Sequence, residues 1–384
     1  MARVMNWIES LTSYARQHEV SEMIPAARPH IGSEERYAVD GVLASGGLAQ
    51  GPEVSAFERE FSSEAVSGAH CIAVNSGTSA QHLAMLAAGI GRGDEVLVPS
   101  FTFAATANAV ALTGATPVFV DIDPETFCMA VPSARESITD RTKAIMPVHL
   151  YGHPADLGGF AELCEEFSLI LIEDAAQAHL ASLYGRSVGT WGLAGSFSFY
   201  PTKNMTSGEG GMVSTVNAEI ARTVRLLRNQ GQERKYHNEI VGFNNRMTDI
   251  HAAIGRVQLA KLPEWTKRRQ TNASLFDESL RGVVTPVVAP GAVHVYHQYT
   301  IRVVDLDRDA FAEQLSERGV GTGVYYPVPN HRLPAFSCDL ELPETERAAR
   351  EVLSLPVYPS LTESELVHIV ESVNAVASAG VGSG

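Results

Sequence analysis

The sequence predicts an α/β protein: a large domain on a mostly parallel, seven-stranded sheet flanked by helices, and a smaller C-terminal α+β domain. Three observations predict it. Short apolar runs rich in β-branched residues recur along the chain, helix-like segments separate many of them, and the texture changes after about Ile250.

The runs fall at 71–74, 95–99, 117–121, 144–149, 169–173, 196–200 and 212–216. Several are continuously apolar rather than alternating, as expected of strands covered on both faces. Helical segments at 79–89, 104–113 and 157–167 follow the first, second and fourth runs. Such strand–helix alternation is the signature of a parallel sheet. Ligands of these sheets sit beyond the carboxyl ends of the strands, so the residues just past each run carry the most information about function.

After Ile250 a long helical stretch runs through HAAIGRVQLAKL, meets Pro263, and continues as EWTKRRQTNASLFDESL. Beyond about Val284 a strand at 298–304 mixes with helices at 309–317, 345–352 and 363–376. The expected division is an N-terminal arm at 1–24, a large domain at 25–260 and a small domain at 261–384. Within the arm, 7–16 reads as a short amphipathic packing helix, and the closing ASAGVGSG reads as a frayed tail.

Composition bounds the partners. Of 384 residues 45% are hydrophobic and 19% charged, ordinary for a globular protein, and the formal net charge is -15. So acidic a surface repels nucleic acid and anionic membranes, while leaving room for a local phosphate pocket. Cys71, Cys128, Cys164 and Cys338 are far apart and read as small hydrophobes in a reducing compartment. Charged residues interrupt the N-terminal stretch, and no apolar run has the length to span a bilayer. A soluble cytoplasmic protein, binding neither nucleic acid nor membrane, is the expectation.

Three segments at strand ends carry chemistry. The first run ends in Asn75-Ser76-Gly77-Thr78-Ser79, where backbone N–H groups at a helix start suit a phosphate. By itself the motif is also an ordinary N-cap. The fifth ends in Glu173-Asp174-Ala175-Ala176-Gln177, and a buried acid there needs a partner such as a cationic ring nitrogen. A structural ion pair or a metal ligand are the other uses, the latter without His or Cys at metal-like spacing apart from His179. The sixth is followed by Pro201-Thr202-Lys203-Asn204 and then Gly208-Glu209-Gly210-Gly211, a frame for a Schiff-base lysine, although most loop lysines are simply solvated. A phosphate cradle, a ring-nitrogen acid and such a lysine, all at strand ends, could touch one ligand. In Pro99-Ser100-Phe101-Thr102-Phe103 one aromatic is suited to stack on a ring, and the other to the core.

These motifs resemble the DegT/DnrJ/EryC1/StrS family of sugar aminotransferases dependent on pyridoxal phosphate (PLP), within the fold-type I aspartate aminotransferase superfamily. The resemblance spans about Ile31 to Val373, through GGLAQGPEVSAFEREF, NSGTSAQHLAM, GDEVLVPSFTFAATANAV, PVHLYGHPADL, IEDAAQAH, SFSFYPTKNMTSGEGGMV, GFNNRMTDIHAAIG and SLPVYPSLTESE. It implies that Lys203 carries the cofactor and shuttles a proton. Asp174 would hold the pyridine nitrogen and Gln177 would lie near the phenolic oxygen, with Gly77, Thr78 and Ser198 on the phosphate. Phe103 would stack on the ring, with Phe101 as runner-up. Asn244 would reach the phosphate from the other subunit of a homodimer with shared sites. His149, His331 and Tyr325 would border the sugar.

The implied reaction moves an amino group from an amino acid, L-glutamate in the family, onto a nucleotide-linked keto-deoxysugar by way of pyridoxamine phosphate (PMP). Relatives also act on keto-cyclitols such as inososes. Others, with histidine in place of the lysine, are sugar dehydratases, and Lys203 argues against that use. A non-catalytic sensor would have no need of Lys203, Asp174 and Gln177 together.

Overall fold

The structure is a computed structural model that describes residues 23–381. The helix expected at 7–16 lies outside the described residues. Seven strands form the main sheet: β1 (His70–Val74), β2 (Glu95–Pro99), β3 (Thr116–Val120), β4 (Thr142–Ile145), β5 (Ile170–Asp174), β6 (Ala194–Ser198) and β7 (Gly211–Thr215). Their spatial order is β1-β7-β6-β5-β4-β2-β3. Six run parallel, and β7 lies antiparallel between β1 and β6.

Strand alternation sends neighbouring residues to opposite faces, and both faces are apolar. In β1, Cys71 and Ala73 enter one core while Ile72 and Val74 enter another. Leu97 of β2 likewise parts from Val96 and Val98. This two-sided burial explains the continuous apolar runs. One face is covered by α2 (Pro52–Ala65), α6 (Leu157–Phe167) and α8 (Asp249–Ser279); the other by α3 (Gly77–Ala87), α4 (Ala105–Thr113) and α7 (Ala218–Arg228). Helices α1 (Ser33–Ser45) and α5 (Val131–Glu136) complete this part.

The 31-residue α8 is the longest element, and Pro263 does not end it. Proline removes a single N–H from the ladder. Here Leu259, Leu262 and Thr266 pin the helix into protein on both sides of that gap. Its start also organises α2: Asp249 Oδ1 accepts from the N–H groups of Gly51 (2.8 Å) and Val54 (3.0 Å), capping that helix from a distant part of the chain. Further along, Gly255 lies flat on Phe57, with room for no side chain.

A second core gathers the C-terminal elements: α9 (Arg308–Glu317), α11 (Glu363–Val381) and the antiparallel pair β8 (Tyr299–Arg302) and β9 (Val352–Leu355). Helix α10 (Pro343–Glu351) bridges towards the main sheet, where Asp121 accepts from its Glu344 and Thr345 N–H groups. Helix α8 serves both cores, through Ala252, Leu259 and Leu262 in the first and Ala273 and Phe276 in the second. The expected division at 260/261 therefore falls inside a continuous helix. Ile24, from the end of the expected arm, packs in the second core and bridges to Val320.

Three local expectations change. The run at 144–149 is strand only to Ile145, because its last residues turn out of the ladder towards β5, where Val148 bridges Asp174. The run at 196–200 ends at Ser198. Residues 377–381, expected to fray, continue α11, with Ala377 buried in the second core.

Replacing Gly255 by Val would place a Cβ 2.8 Å from the Phe57 ring and push α8 off α2. The expected loss is about 1–3 kcal/mol of stability, the usual penalty of overpacking. Urea unfolding against the parent protein measures it.

Candidate active site

The carboxyl ends of β1, β2, β5 and β6 open on one cavity of about 590 Å³. Its walls include Gly77, Thr78, Phe103, Asp174, Gln177, Ser198, Lys203 and Tyr325. Sequence motifs spread over some 250 residues thus meet at one place.

Asp174 is the deepest charged group there. Alternation on β5 turns it to the α3/α4 face, away from its neighbour Glu173. Its Oδ2 accepts from Gln81 Nε2 (2.6 Å) and Thr106 Oγ1 (2.8 Å), and its Oδ1 from the Ala176 N–H (3.1 Å). Burial pushes its carboxyl above the usual range; these hydrogen bonds and the charge of Lys203 pull against that. A cationic partner would stabilise a carboxylate so placed further still.

Lys203 lies in the loop after β6, its N–H donating to Tyr200 O (2.9 Å). It is half-buried and lines the cavity. The surrounding protein lowers its amine to about 8, with the Asp174 carboxylate opposing the shift. A substantial fraction of such an amine is neutral near physiological pH, which a nucleophile or proton carrier requires.

The mouth of α3 supplies the anion cradle. Ser76 caps the helix, its Oγ accepting from the Ser79 N–H (3.1 Å). Gly77 abuts Ser198 so closely that a Cβ would stand 2.7 Å from that of Ser198. The glycine therefore brings the helix start against the end of β6, where N–H groups and hydroxyls converge on one side of the cavity. A lysine, a paired acid and an anion cradle around one cavity fit an elongated phosphorylated heterocycle that carries a carbonyl and a basic ring nitrogen. Those are the features of PLP.

The remaining residues divide. Gln177 is oriented by two bonds: its Oε1 accepts from the Tyr151 N–H (2.8 Å), and its Nε2 donates to the Tyr326 hydroxyl (3.1 Å). Phe103 is 59% exposed and lines the cavity, whereas Phe101 is wholly buried among Phe127, Tyr151 and Tyr326. Of the two aromatics, Phe103 is thus the one available to a ring.

His149 and His331 do not line the cavity. His149 is buried, its Nδ1 accepting from the Ala155 N–H (3.0 Å) and its Nε2 meeting Glu173 Oε2 (3.2 Å). Glu173 also accepts from the N–H groups of Gly189, Trp191 and Gly192, so this pair ties down the loop before β6. His331 is equally buried, between Ser100 Oγ (2.6 Å) and Glu346 Oε1 (3.2 Å). The family resemblance implied a sugar contact for both; in this chain their rings meet polar partners within the protein. Asn244 is exposed, bridged through its backbone to Asn229, and is not among the residues lining this chain's cavity.

Sequence reasoning missed Gln81, Thr106, His297, Gln298 and Tyr326, all in the cavity wall. Gln81 sits one turn inside α3 and Thr106 in the first turn of α4, and neither shows a motif of its own. The others come from the C-terminal half, where no strand-end pattern marks them.

A model of the DegT/DnrJ/EryC1/StrS aminotransferase family matches residues 29–374. The chain is 40% identical over 365 residues to a pleiotropic regulatory protein of Geobacillus stearothermophilus, covering 92% of this chain and 96% of the relative. It is 40% identical over 358 residues to the dTDP-3-amino-3,4,6-trideoxy-alpha-D-glucose transaminase of Streptomyces venezuelae, covering 91% and 94%. Among solved structures, S. venezuelae DesV in complex with a ketimine intermediate superposes with a TM-score of 0.87 at 41% identity, covering 90% of this chain and 94% of that one. Bacillus subtilis NtdA with bound cofactor PMP gives a TM-score of 0.84 at 31% identity, covering 94% and 86%.

The depressed amine of Lys203 is directly testable in cofactor-free protein. Its reaction with an amine-selective acylating reagent should rise with pH about a midpoint near 8, because the neutral form is the nucleophile and the protonated form dominates below. Asp174→Asn removes the charge that favours the protonated form, so its midpoint should move lower. A midpoint near that of free lysine would contradict the burial argument.

Proposed function

The chain belongs to the DegT/DnrJ/EryC1/StrS aminotransferase family and is a PLP-dependent aminotransferase, and we propose that it transfers an amino group from L-glutamate to a nucleotide-linked keto-deoxysugar. The observation that carries the proposal is the single cavity in which Lys203, Asp174 and the start of α3 converge. The acceptor class follows the dTDP-sugar transaminase relative.

PLP supplies an electron sink and holds the amino group, as PMP, between the two half-reactions. With the cofactor bound, Lys203 would hold it through Nζ until the donor's amine displaces that nitrogen, and the freed amine would then carry the donor's α-proton. Asp174 keeps a proton on the ring nitrogen, and Gln81 and Thr106 hold Asp174 in place for that purpose. Gly77, Thr78 and Ser198 receive the phosphate at the helix start, where N–H groups need no rearrangement to meet an anion. Phe103 would cover the ring face, and Gln177, fixed by Tyr151 and Tyr326, would lie near the phenolic oxygen. Tyr325 borders the acceptor.

Two copies of the chain complete the site in this proposal. The cavity must accommodate a phosphate, a dicarboxylate donor and a nucleotide diphosphate in turn. Among the described residues that line it there is no arginine, and Asp174 and Glu209 are acidic. Further donors and cations are therefore needed, and exposed Asn244 is the residue we assign to the partner's phosphate.

The PLP-loaded protein mixed with L-glutamate alone should lose its cofactor absorption band and release about one equivalent of 2-oxoglutarate per site, as a half-reaction requires. Lys203→Ala should abolish both. An unchanged band in the wild type would remove glutamate as donor. A keto-cyclitol that restores the band while no nucleotide-linked sugar does would replace the acceptor.

Asn244→Ala and Lys203→Ala subunits, each inactive or weak alone, should regain activity when mixed, since one hybrid site then holds both intact residues. Verified heterodimers without recovery would remove the shared site.

A further inference from the structure

The cavity wall divides by origin. Residues of α3, α4, β5 and the loop after β6 are used by the cofactor, as proposed above. His297 and Gln298 enter from the connection into β8, beside Tyr325 and Tyr326. Their role is open, and His297 is the most unusual of them.

His297 is about 6% exposed, yet its ring makes no hydrogen bond to any of the described residues, and its Nδ1 has no partner. Buried polar groups are nearly always paired, so an idle imidazole on a ligand cavity needs a reason. The backbone around it is held with care. Arg269 of α8, itself buried, donates from Nη1 to the carbonyls of Tyr296 (3.1 Å) and His297 (3.4 Å). The Gln298 N–H donates to Tyr151 O (3.2 Å). A guanidinium committed to two main-chain carbonyls places this one residue firmly while its ring is left free.

We propose that His297 is a specificity-determining residue that hydrogen-bonds a hydroxyl group next to the reacting carbon of the acceptor. This rests on the sugar reading above. The ring is kept neutral, its basicity pushed well below the ordinary value by burial and then by the nearby charges of Lys203 and Arg269. A neutral imidazole carries one donor and one acceptor nitrogen, and either one can bond a hydroxyl, which both donates and accepts. His297 and Lys203 line the same cavity, so a hydroxyl bonded by this ring lies on the acceptor's reacting side. A site built to bond a hydroxyl rejects the analogue lacking it, because its polar groups are then stranded.

The test compares wild type, His297→Phe and His297→Asn, each PMP-loaded and thermally characterised. Each is given a keto-sugar acceptor and its analogue deoxygenated at the neighbouring carbon. Wild type should prefer the hydroxyl-bearing acceptor in kcat/KM, and His297→Phe should lose at least tenfold of that preference. His297→Asn, which keeps a donor and an acceptor, should recover part of it. A preference unchanged in His297→Phe overturns the proposal, even if both rates fall, since a merely structural role lowers both alike. If wild type uses no nucleotide-linked sugar, the substrate reading fails on its own. The same comparison then runs with an inosose and its deoxy analogue, whose ketone is likewise flanked by hydroxyls.

Discussion

Asp174 stands at the last position of β5 with about 3% of its surface exposed, and much of the architecture can be read as compensation for burying that carboxylate. Its hydrogen-bond donors come from three directions: Gln81 on α3, Thr106 on α4 and the turn that follows β5. Both helices must therefore start at the carboxyl end of the sheet, with the second turn of α3 and the first turn of α4 pointing inward. Once α3 is so placed, its first turn faces the same cavity, and the anion cradle follows from the position of the acid's supports. The lysine across the cavity offsets part of the remaining cost, and the Asp174 charge in turn opposes the lowering that Lys203's own burial causes.

The adjacent Glu173 shows how little freedom this arrangement leaves. Two carboxylates in succession on a central strand point to opposite faces. One meets the cavity, and the other meets His149 and three backbone N–H groups of the loop before β6. A one-residue slip of β5 would exchange the two and strand both sets of donors. The loop held by Glu173 leads directly into β6 and thence to Lys203, so acid and lysine are placed by neighbouring residues of a single strand.

Much of this was legible in the sequence, for identifiable reasons. Strands covered on both faces leave continuous apolar runs, and several of the seven sheet strands showed them. Lys203, Asp174 and Gly77 sit immediately past such runs, where ligands of parallel sheets bind. Strand direction was not legible, since the antiparallel β7 has the same apolar texture as its parallel neighbours. Gln81 and Thr106 were invisible because a glutamine or threonine on a helix reveals nothing of a partner 93 or 68 residues away. His149 and His331 do not line the cavity, because a resemblance of sequence stretches does not say which way a ring turns. His297 carried no pattern in sequence at all; only its unpaired burial distinguishes it.

Helix α8 runs without a break through both hydrophobic cores and carries Arg269 to the carbonyls beside the cavity. It acts as an axle shared by the two halves rather than a hinge between them. Large swings of one half against the other would bend 31 residues of helix and tear out a buried guanidinium. Exchange of reactants through so stiff a frame must depend on short segments at the rim. Grafting a new acceptor specificity would accordingly be a matter of exchanging those rim segments on a fixed chassis.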